Sequence, residues 1–279
     1  MNILDLINNG SNLLKKNKIS SHILDSEIIL SKILGKPREE VLINLNQKID
    51  EKTFFEYEKY ITRRSKNEPV AYIFEEKEFW SKNFKVNKDT LIPRPETELL
   101  VDELLKIFNQ KKITILDIGT GSGCIIISLL NELKLSKGMG IDISKKAISI
   151  AKINRNKFKL RNRLKFLNKS IECFFSTKFD LIVSNPPYIK SKDLKNLSKD
   201  IKKYEPRIAL DGGNDGLDLI KKVIYKSKDI LKTKGTLALE IGNKQAKKVS
   251  KILFDNNFKV KNEIKDYKNN VRCLIANYN

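Results

Sequence analysis

The sequence predicts an α/β protein, a mostly parallel seven-stranded sheet with a terminal antiparallel hairpin, preceded by a small all-helical domain. Three observations carry this. Residues 1–69 hold only long polar–apolar mixtures, parted by Gly-, Pro- and Asn-rich breaks. Beyond residue 111, short β-branched runs alternate with helical segments, which is the pattern of a parallel sheet covered on both faces. The last two apolar runs, Phe258–Lys265 and Arg272–Ala276, read as a closing pair of strands.

The elements follow in order. Ile3–Lys16, Ser20–Leu34 and Asp50–Asn67 read as helices, with Gly10, Gly35-Lys36-Pro37 and Asn44–Lys48 as breaks. From Val70 to Val86 aromatic and β-branched residues (Tyr72, Phe74, Phe79, Trp80, Phe84) suggest a hairpin that links two domains. Pro93, Arg94 and Pro95 introduce a helix from about Glu96 to Gln110, because proline suits a first helical turn. Strands are expected at Ile113–Ile118, Gly138–Ile143, Leu164–Leu167, Phe179–Ser184 and Thr236–Ile241, before the terminal pair. Leu217, Ile220, Ile224 and Leu231 mark one crossover helix, and Val249, Leu253 and Phe254 mark another.

Composition narrows the function classes. With 279 residues and 40% hydrophobic content, the chain has room for a full core. No apolar stretch approaches the roughly 20 residues of a membrane helix. Met1–Gly10 lacks the basic start and continuous apolar segment of a signal peptide. Cys124, Cys173 and Cys273 are odd in number and widely spaced, fitting neither a disulfide framework nor a zinc site, so a reducing cytoplasm is expected. The single His22 supports neither a metal site nor His-dependent nucleophilic catalysis. The formal charge is +21, but Lys supplies 46 of the 55 basic residues and they are spread along the whole length. That spread favours a general, non-specific attraction to nucleic acid and other acidic surfaces over a dedicated binding face.

Two local patterns carry chemistry. The first strand ends in Asp117-Ile118-Gly119-Thr120-Gly121-Ser122-Gly123 with a helix to follow. Glycines there permit tight turning and close backbone approach to a ligand whose polar groups would meet the amides of the helix start. Asp142 closes the second strand about 20 residues later, where an acid can accept hydrogen bonds from ribose hydroxyls. The strand Phe179–Ser184 then runs into Asn185-Pro186-Pro187-Tyr188. Proline has no amide hydrogen and holds the preceding residue extended, so this is a rigid corner at the carboxyl end of a strand. It offers a carboxamide oxygen, proline carbonyls and an aromatic ring, which together suit a planar NH2 group whose two hydrogens need acceptors.

A glycine turn, a second-strand acid and a fourth-strand Asn-Pro-Pro-Tyr in that order resemble the S-adenosylmethionine-dependent methyltransferases that act on planar nitrogen. The resemblance implies a Rossmann-like class I methyltransferase domain over residues 91–279. It implies S-adenosyl-L-methionine as cofactor, with Gly119, Thr120, Gly121, Ser122 and Gly123 near its methionine portion and Asp142 on its ribose. Further segments are similar to the release factor glutamine methyltransferases. These are Glu68-Pro69-Val70-Ala71-Tyr72-Ile73, Glu78-Phe79-Trp80, Thr90-Leu91-Ile92-Pro93-Arg94-Pro95-Glu96-Thr97-Glu98, Glu205-Pro206, Ala209-Leu210, Gly212-Gly213 and Asp215-Gly216-Leu217. Asp25-Ser26-Glu27 through Leu34-Gly35 is a weaker match to that family's helical N-terminal domain. By this likeness residues 1–69 form a helical substrate-docking domain and 70–90 a β-hairpin linker.

That family resemblance implies N5-methylation of the glutamine in the Gly-Gly-Gln motif of class I peptide-chain release factors. Asn185, Pro186, Pro187 and Tyr188 would bind and position the substrate amide, with Asn185 also beside the cofactor. The chain departs from the family at Asn168-Lys169-Ser170-Ile171, where Ser170 stands for an acid and Ile171 for an aromatic ring near the adenine. The resemblance places Arg94, Glu96 and Thr97 near the active-site entrance, while read alone Glu96 and Glu98 are favourable first-turn acids of a helix and Arg94 is solvated, so none of them takes a catalytic role from the sequence. The main rival is an amino-methyltransferase acting on adenine or guanine of DNA or rRNA, because the Asn-Pro-Pro-Tyr corner is common to those enzymes. A catalytically idle cofactor-binding protein is a second alternative.

Overall fold

A computed structural model describes residues 1–175 and 178–279. The chain divides into two compact units. One comprises Met1–Glu75 with Ser198–Tyr204, and the other Glu76–Leu197 with Glu205–Asn279.

The smaller unit is helical: α1 (Ile3–Lys16), α2 (His22–Leu34), α3 (Arg38–Ile43), α4 (Glu51–Ser65) and the single turn α5 (Val70–Ile73). Asn2 and Asp5 form a reciprocal capping box at the start of α1, which satisfies two amides that the helix itself leaves open. Ile3, Leu6, Ile7, Leu14, Ile29, Leu30, Tyr57 and Ile61 build its core. Gly10, expected as a break, lies inside α1, and a Cβ there would sit 2.1 Å from the Tyr57 hydroxyl. The glycine makes room for the tyrosine of α4; it does not end the helix. The Asp25 carboxylate of α2 pairs with Arg64 of α4 at 2.7 Å, both side chains being nearly buried.

The larger unit begins with the hairpin β1 (Glu76–Phe79) and β2 (Lys82–Lys85). The hairpin is shorter than the expected Val70–Val86 run, because Pro69 starts a helical turn over Val70–Ile73 instead. Trp80 and Ser81 form its two-residue turn, both with positive φ (53° and 52°). Such turns usually advertise themselves by Asn-Gly, which this sequence lacks. Then follow α6 (Pro95–Phe108), β3 (Thr114–Ile118), α7 (Cys124–Glu132), β4 (Lys137–Asp142), α8 (Lys145–Lys157), β5 (Leu164–Asn168) and β6 (Phe179–Ser184). The short helix α9 (Lys199–Tyr204) belongs to the smaller unit, and the larger one resumes with α10 (Asp218–Ile230), β7 (Leu231–Glu240), α11 (Ala246–Asp255), β8 (Phe258–Lys265) and β9 (Val271–Tyr278).

The seven strands lie in the order β5-β4-β3-β6-β7-β9-β8, parallel from β5 to β7 and antiparallel at β9 and β8. Alternate side chains of one strand enter opposite cores, as the pleat requires. Ile115, Leu181 and Val183 join one cluster with α6, α7 and α8 residues, while Leu116 and Ile182 join the other with α10 and α11 residues. Two expectations shift. Leu231 opens β7 and does not close α10, and Phe254 points outward at 78% exposure while Val249 and Leu253 are buried. The sheet reverses its winding between β3 and β6, so the crevice at their carboxyl ends is where an open α/β sheet takes a ligand. Among the described residues no helix is long and apolar enough to cross a membrane.

Candidate active site

A cavity of about 200 Å³ lies at that crevice. Its walls include Ile118, Gly119 and Gly121 after β3, Asp142 and Ile143 at the end of β4, Lys169–Glu172 after β5, and Asn185 and Pro187 after β6. Asp89–Leu91, Pro206, Ile208, Ala209 and Leu219 line it as well. Residues far apart in sequence meet here because the carboxyl ends of adjacent parallel strands share one edge of the sheet.

The glycine turn is held in shape by its own amides. Gly119 and Thr120 donate to the Ile141 carbonyl at 2.9 and 3.0 Å, and Gly121 donates to Asp142 Oδ2 at 3.0 Å. These three amides are therefore committed within the protein. What the turn presents to the cavity is glycine backbone with φ of 72° at Gly119 and 56° at Gly121, a conformation side-chain-bearing residues rarely adopt. Thr120 turns inward to donate to Asp117 Oδ2 at 2.7 Å, and burial pushes the Asp117 carboxyl up to about 7. Ser122 and Gly123 also lie behind the cavity wall. The Ser122 carbonyl accepts from Asn154 Nδ2 at 2.9 Å, and Gly123 packs on Phe166 and Ile127.

Asp142 holds the turn and faces the cavity together. Its Oδ1 accepts the Ser144 amide at 2.8 Å, and burial raises its carboxyl above the usual range against the pull of these amide hydrogen bonds. A carboxylate has about four acceptor positions, so two backbone bonds leave capacity for hydroxyls of a ligand. Asn168 Nδ2 donates to the carbonyls of Asp142 and Ile143, both at 2.9 Å, and fixes the loop beyond β4. Ile171 is buried in the wall against the core cluster of Ile118 and Ile141, and Ser170 stands beside it. An acid beside apolar Ile143, Ile171, Ala209 and Leu219 fits a ribose carrying a flat, weakly polar base, so the residues present fit a nucleoside-bearing cofactor.

The Asn185–Tyr188 corner is buttressed from behind. Gln245 Nε2 donates to the carbonyls of Tyr188 and Gly216, both at 3.1 Å. Ile189 and the loop after Leu210 exchange amide bonds, Ile189 to Leu210 at 3.1 Å and Gly212 to Ile189 at 2.8 Å. The loop packs so closely that a Cβ on Gly216 would lie 2.5 Å from the Tyr188 carbonyl. Pro186 is buried and Pro187 lines the cavity. Tyr188 does not line it. Its ring packs on the apolar cluster of β6 and β7, and its hydroxyl donates to Glu240 Oε1 at 3.3 Å.

Three further residues that take no role from the sequence complete the site: Glu240, which lies outside the family-like segments, and Thr97 and Glu205, which lie within them. Glu240, at the end of β7, is 2% exposed, and burial pushes its carboxyl up to about 7 against hydrogen bonds from Thr97 and Tyr188. Thr97 of α6 donates to Glu240 Oε2 at 2.6 Å and accepts from Asn185 Nδ2 at 3.3 Å. Glu205, buried, accepts the Ile92 amide at 3.2 Å and the Arg94 guanidinium, fastening the two segments that supply Leu91 and Pro206 to the cavity. Only one signal for Glu240 was present in the sequence: it is the single acid in the apolar run Leu237–Ile241. Glu96 is exposed.

Comparisons with known proteins agree with this geometry. Residues 5–74 match the family described as "PrmC N-terminal domain", and residues 109–275 match a family described as "Methyltransferase domain". The chain is 40% identical over 231 residues to the release factor glutamine methyltransferase of Clostridium acetobutylicum, covering 80% of each chain. It is 40% identical over 277 residues to that of Fusobacterium nucleatum, covering 98% of this chain and 78% of the relative. A methyltransferase crystal structure from Pyrococcus furiosus superposes with TM-score 0.55 at 19% identity, over 77% of this chain and 98% of that one, which shows the fold alone. With a glycine turn, an acid on β4 and an Asn-Pro-Pro-Tyr corner around one cavity, and relatives this similar over most of its length, the chain belongs to the release factor glutamine methyltransferase family.

Proposed function

We propose that this protein methylates the side-chain amide nitrogen (N5) of the glutamine in the Gly-Gly-Gln motif of class I peptide-chain release factors, supporting translation termination. The single observation that carries this reading is the placement of Asn185, which lines the same cavity as Gly119, Gly121 and Asp142 while its amide nitrogen is engaged by Thr97. Its oxygen is thereby left to accept.

S-adenosylmethionine, when bound, supplies a methyl group activated by a sulfonium. The protein's own contribution is positioning. Asp142 would accept from the ribose hydroxyls, and Gly119 and Gly121 would let the cofactor approach the end of β3. Ile171 and Ile143 would offer apolar surface to the base. Asn185 Oδ1 and the Pro186 carbonyl accept the two hydrogens of the substrate amide. A carboxamide nitrogen is a poor nucleophile because its lone pair is delocalised. Two fixed acceptors raise its electron density and direct it at the reacting carbon. Pro187 keeps the corner stiff, and Tyr188 anchors it to Glu240. No strong base is required, since the proton can leave once the nitrogen has become cationic.

The helical residues 1–69 serve in this reading to dock a large protein substrate. The protein acts in the cytoplasm, where release factors are, and its charge of +21 adds a general attraction to acidic surfaces such as ribosomes. The test is incubation with methyl-labelled cofactor and, separately, a class I release factor, ribosomal RNA and duplex DNA. Label on the release factor, traced by mass spectrometry to the Gly-Gly-Gln peptide, is expected. Label on a nucleic-acid base would favour the rival amino-methyltransferase and overturn the reading.

A further inference from the structure

Resting on the reading that Asn185 receives the substrate amide, we infer that Glu240, acting through Thr97, is the positioning residue that decides which end of the Asn185 carboxamide faces the cavity. A carboxamide has two ends of nearly equal shape and opposite polarity. Only its oxygen can accept from the substrate amide; its NH2 end would set N–H against N–H. Sterics scarcely distinguish the two orientations, so hydrogen-bond partners must do so.

The partners leave one consistent arrangement. An ionised carboxylate only accepts, so Thr97 gives its single hydroxyl hydrogen to Glu240 Oε2 at 2.6 Å, and Tyr188 gives its hydrogen to Oε1 at 3.3 Å. What Thr97 has left for Asn185, 3.3 Å away, is a lone pair. Only the Nδ2 end of the carboxamide can meet a lone pair. Donation therefore runs one way, from Asn185 to Thr97 to Glu240, and the Asn185 oxygen is turned to the substrate. Thr97 and Glu240 are each 2% exposed, so bulk water does not compete with this ordering.

The arrangement depends on the charge of Glu240. Once protonated, the carboxyl can donate to Thr97, whose own hydrogen then seeks the Asn185 oxygen and turns the NH2 end toward the substrate. The groups facing Glu240 are Thr97 and Glu96 from α6, Tyr188 from the corner, Arg272 and Cys273 from β9, and Cys124 from α7. Burial is the dominant influence and places its titration near neutrality. Turnover thus rises with pH as Glu240 ionises.

The test measures kcat, KM and the pH profile of methyl transfer to a release factor by the full chain, for wild type, Thr97→Val, Thr97→Ser, Glu240→Gln and Asn185→Ala. Thr97→Val and Glu240→Gln are expected to lower kcat by about 10- to 100-fold, as loss of an orienting partner does elsewhere, with the KM for cofactor changed less than about threefold. Thr97→Ser should recover most of what Thr97→Val loses. Glu240→Gln should lose the acidic limb near pH 7 that wild type shows. If Thr97→Val fails to fold, the near-isosteric Glu240→Gln decides. Wild-type kcat and an unchanged pH profile in Glu240→Gln, beside an inactive Asn185→Ala, would overturn this inference alone. Normal turnover by Asn185→Ala would overturn the reading beneath it, and the inference with that reading.

Discussion

At the scale of single residues, Asn185 and Asp142 line one cavity, and the proposed reading gives them different roles. Loss of one fixed hydrogen-bond partner at a reacting group costs on the order of 10²–10³ in turnover. Asn185→Ala is expected to lose about that much in kcat while titration calorimetry shows cofactor affinity within a few-fold of wild type. Asp142→Ala should do the reverse and weaken cofactor binding first, since its carboxylate both faces the cavity and holds the Gly121 amide. Glu240 adds a stability effect of opposite sign to its proposed role. Its carboxyl is raised from 4.5 to about 7, so the native chain keeps a proton that the unfolded chain has already lost between those values. Folding stability from this group therefore falls as pH rises through that window, and the penalty is complete above it. Glu240→Gln removes the penalty, so its melting temperature relative to wild type should be higher at pH 8 than at pH 5. An equal difference at both pH values would show that Glu240 is not held protonated by burial. Such a residue, costly to the fold, is what a positioned catalytic site can retain.

At the scale of elements, glycines report how tightly the parts meet. Replacing glycine by alanine inside a helix normally stabilises by about 1 kcal/mol. In α1 the sign should reverse: a Cβ on Gly10 would collide with the Tyr57 hydroxyl, so Gly10→Ala is expected to destabilise by about 1–3 kcal/mol in urea titration. Adding Tyr57→Phe should recover part of the loss. Stabilisation by Gly10→Ala alone would contradict the packing of α1 on α4. The same residue explains one misreading, because a glycine that accommodates a distant side chain looks in sequence like a helix break. Strands were legible to within a few residues: Phe179–Ser184 coincides with β6, a buried parallel strand that reads as a nearly unbroken apolar run, and Phe258–Lys265 coincides with β8, an antiparallel strand that alternates apolar and polar residues. The β1–β2 hairpin was legible only in outline, because its turn uses Trp80-Ser81 where Asn-Gly would signal it. Helix α3 was not foreseen; its six residues are too few to show a period.

At the scale of the whole molecule, the site follows from strand order. The glycine turn, Asp142 and the Asn-Pro-Pro-Tyr corner each follow a strand in sequence, so a parallel sheet brings them together, and this much could be read from the chain. The pairing of Thr97 with Glu240 could not, because the bond joining them spans 143 positions, Glu240 sits in no recognisable motif, and the segment that holds Thr97 names no partner for it. Glu205 sits in the family-like Glu205-Pro206 segment, but nothing in that segment names the Ile92 amide, 113 positions away, that it accepts. Local patterns name the residues that touch ligands; the groups that orient them are fixed by tertiary contacts, which no local pattern encodes.

The central claim concerns where one nitrogen lies. It is tested most directly by the structure of this protein bound to a class I release factor and the demethylated cofactor. The glutamine amide nitrogen should lie within about 3.2 Å of Asn185 Oδ1, with Thr97 still accepting from Asn185 Nδ2. A glutamine outside that reach, or an Asn185 nitrogen turned toward it, would contradict the claim.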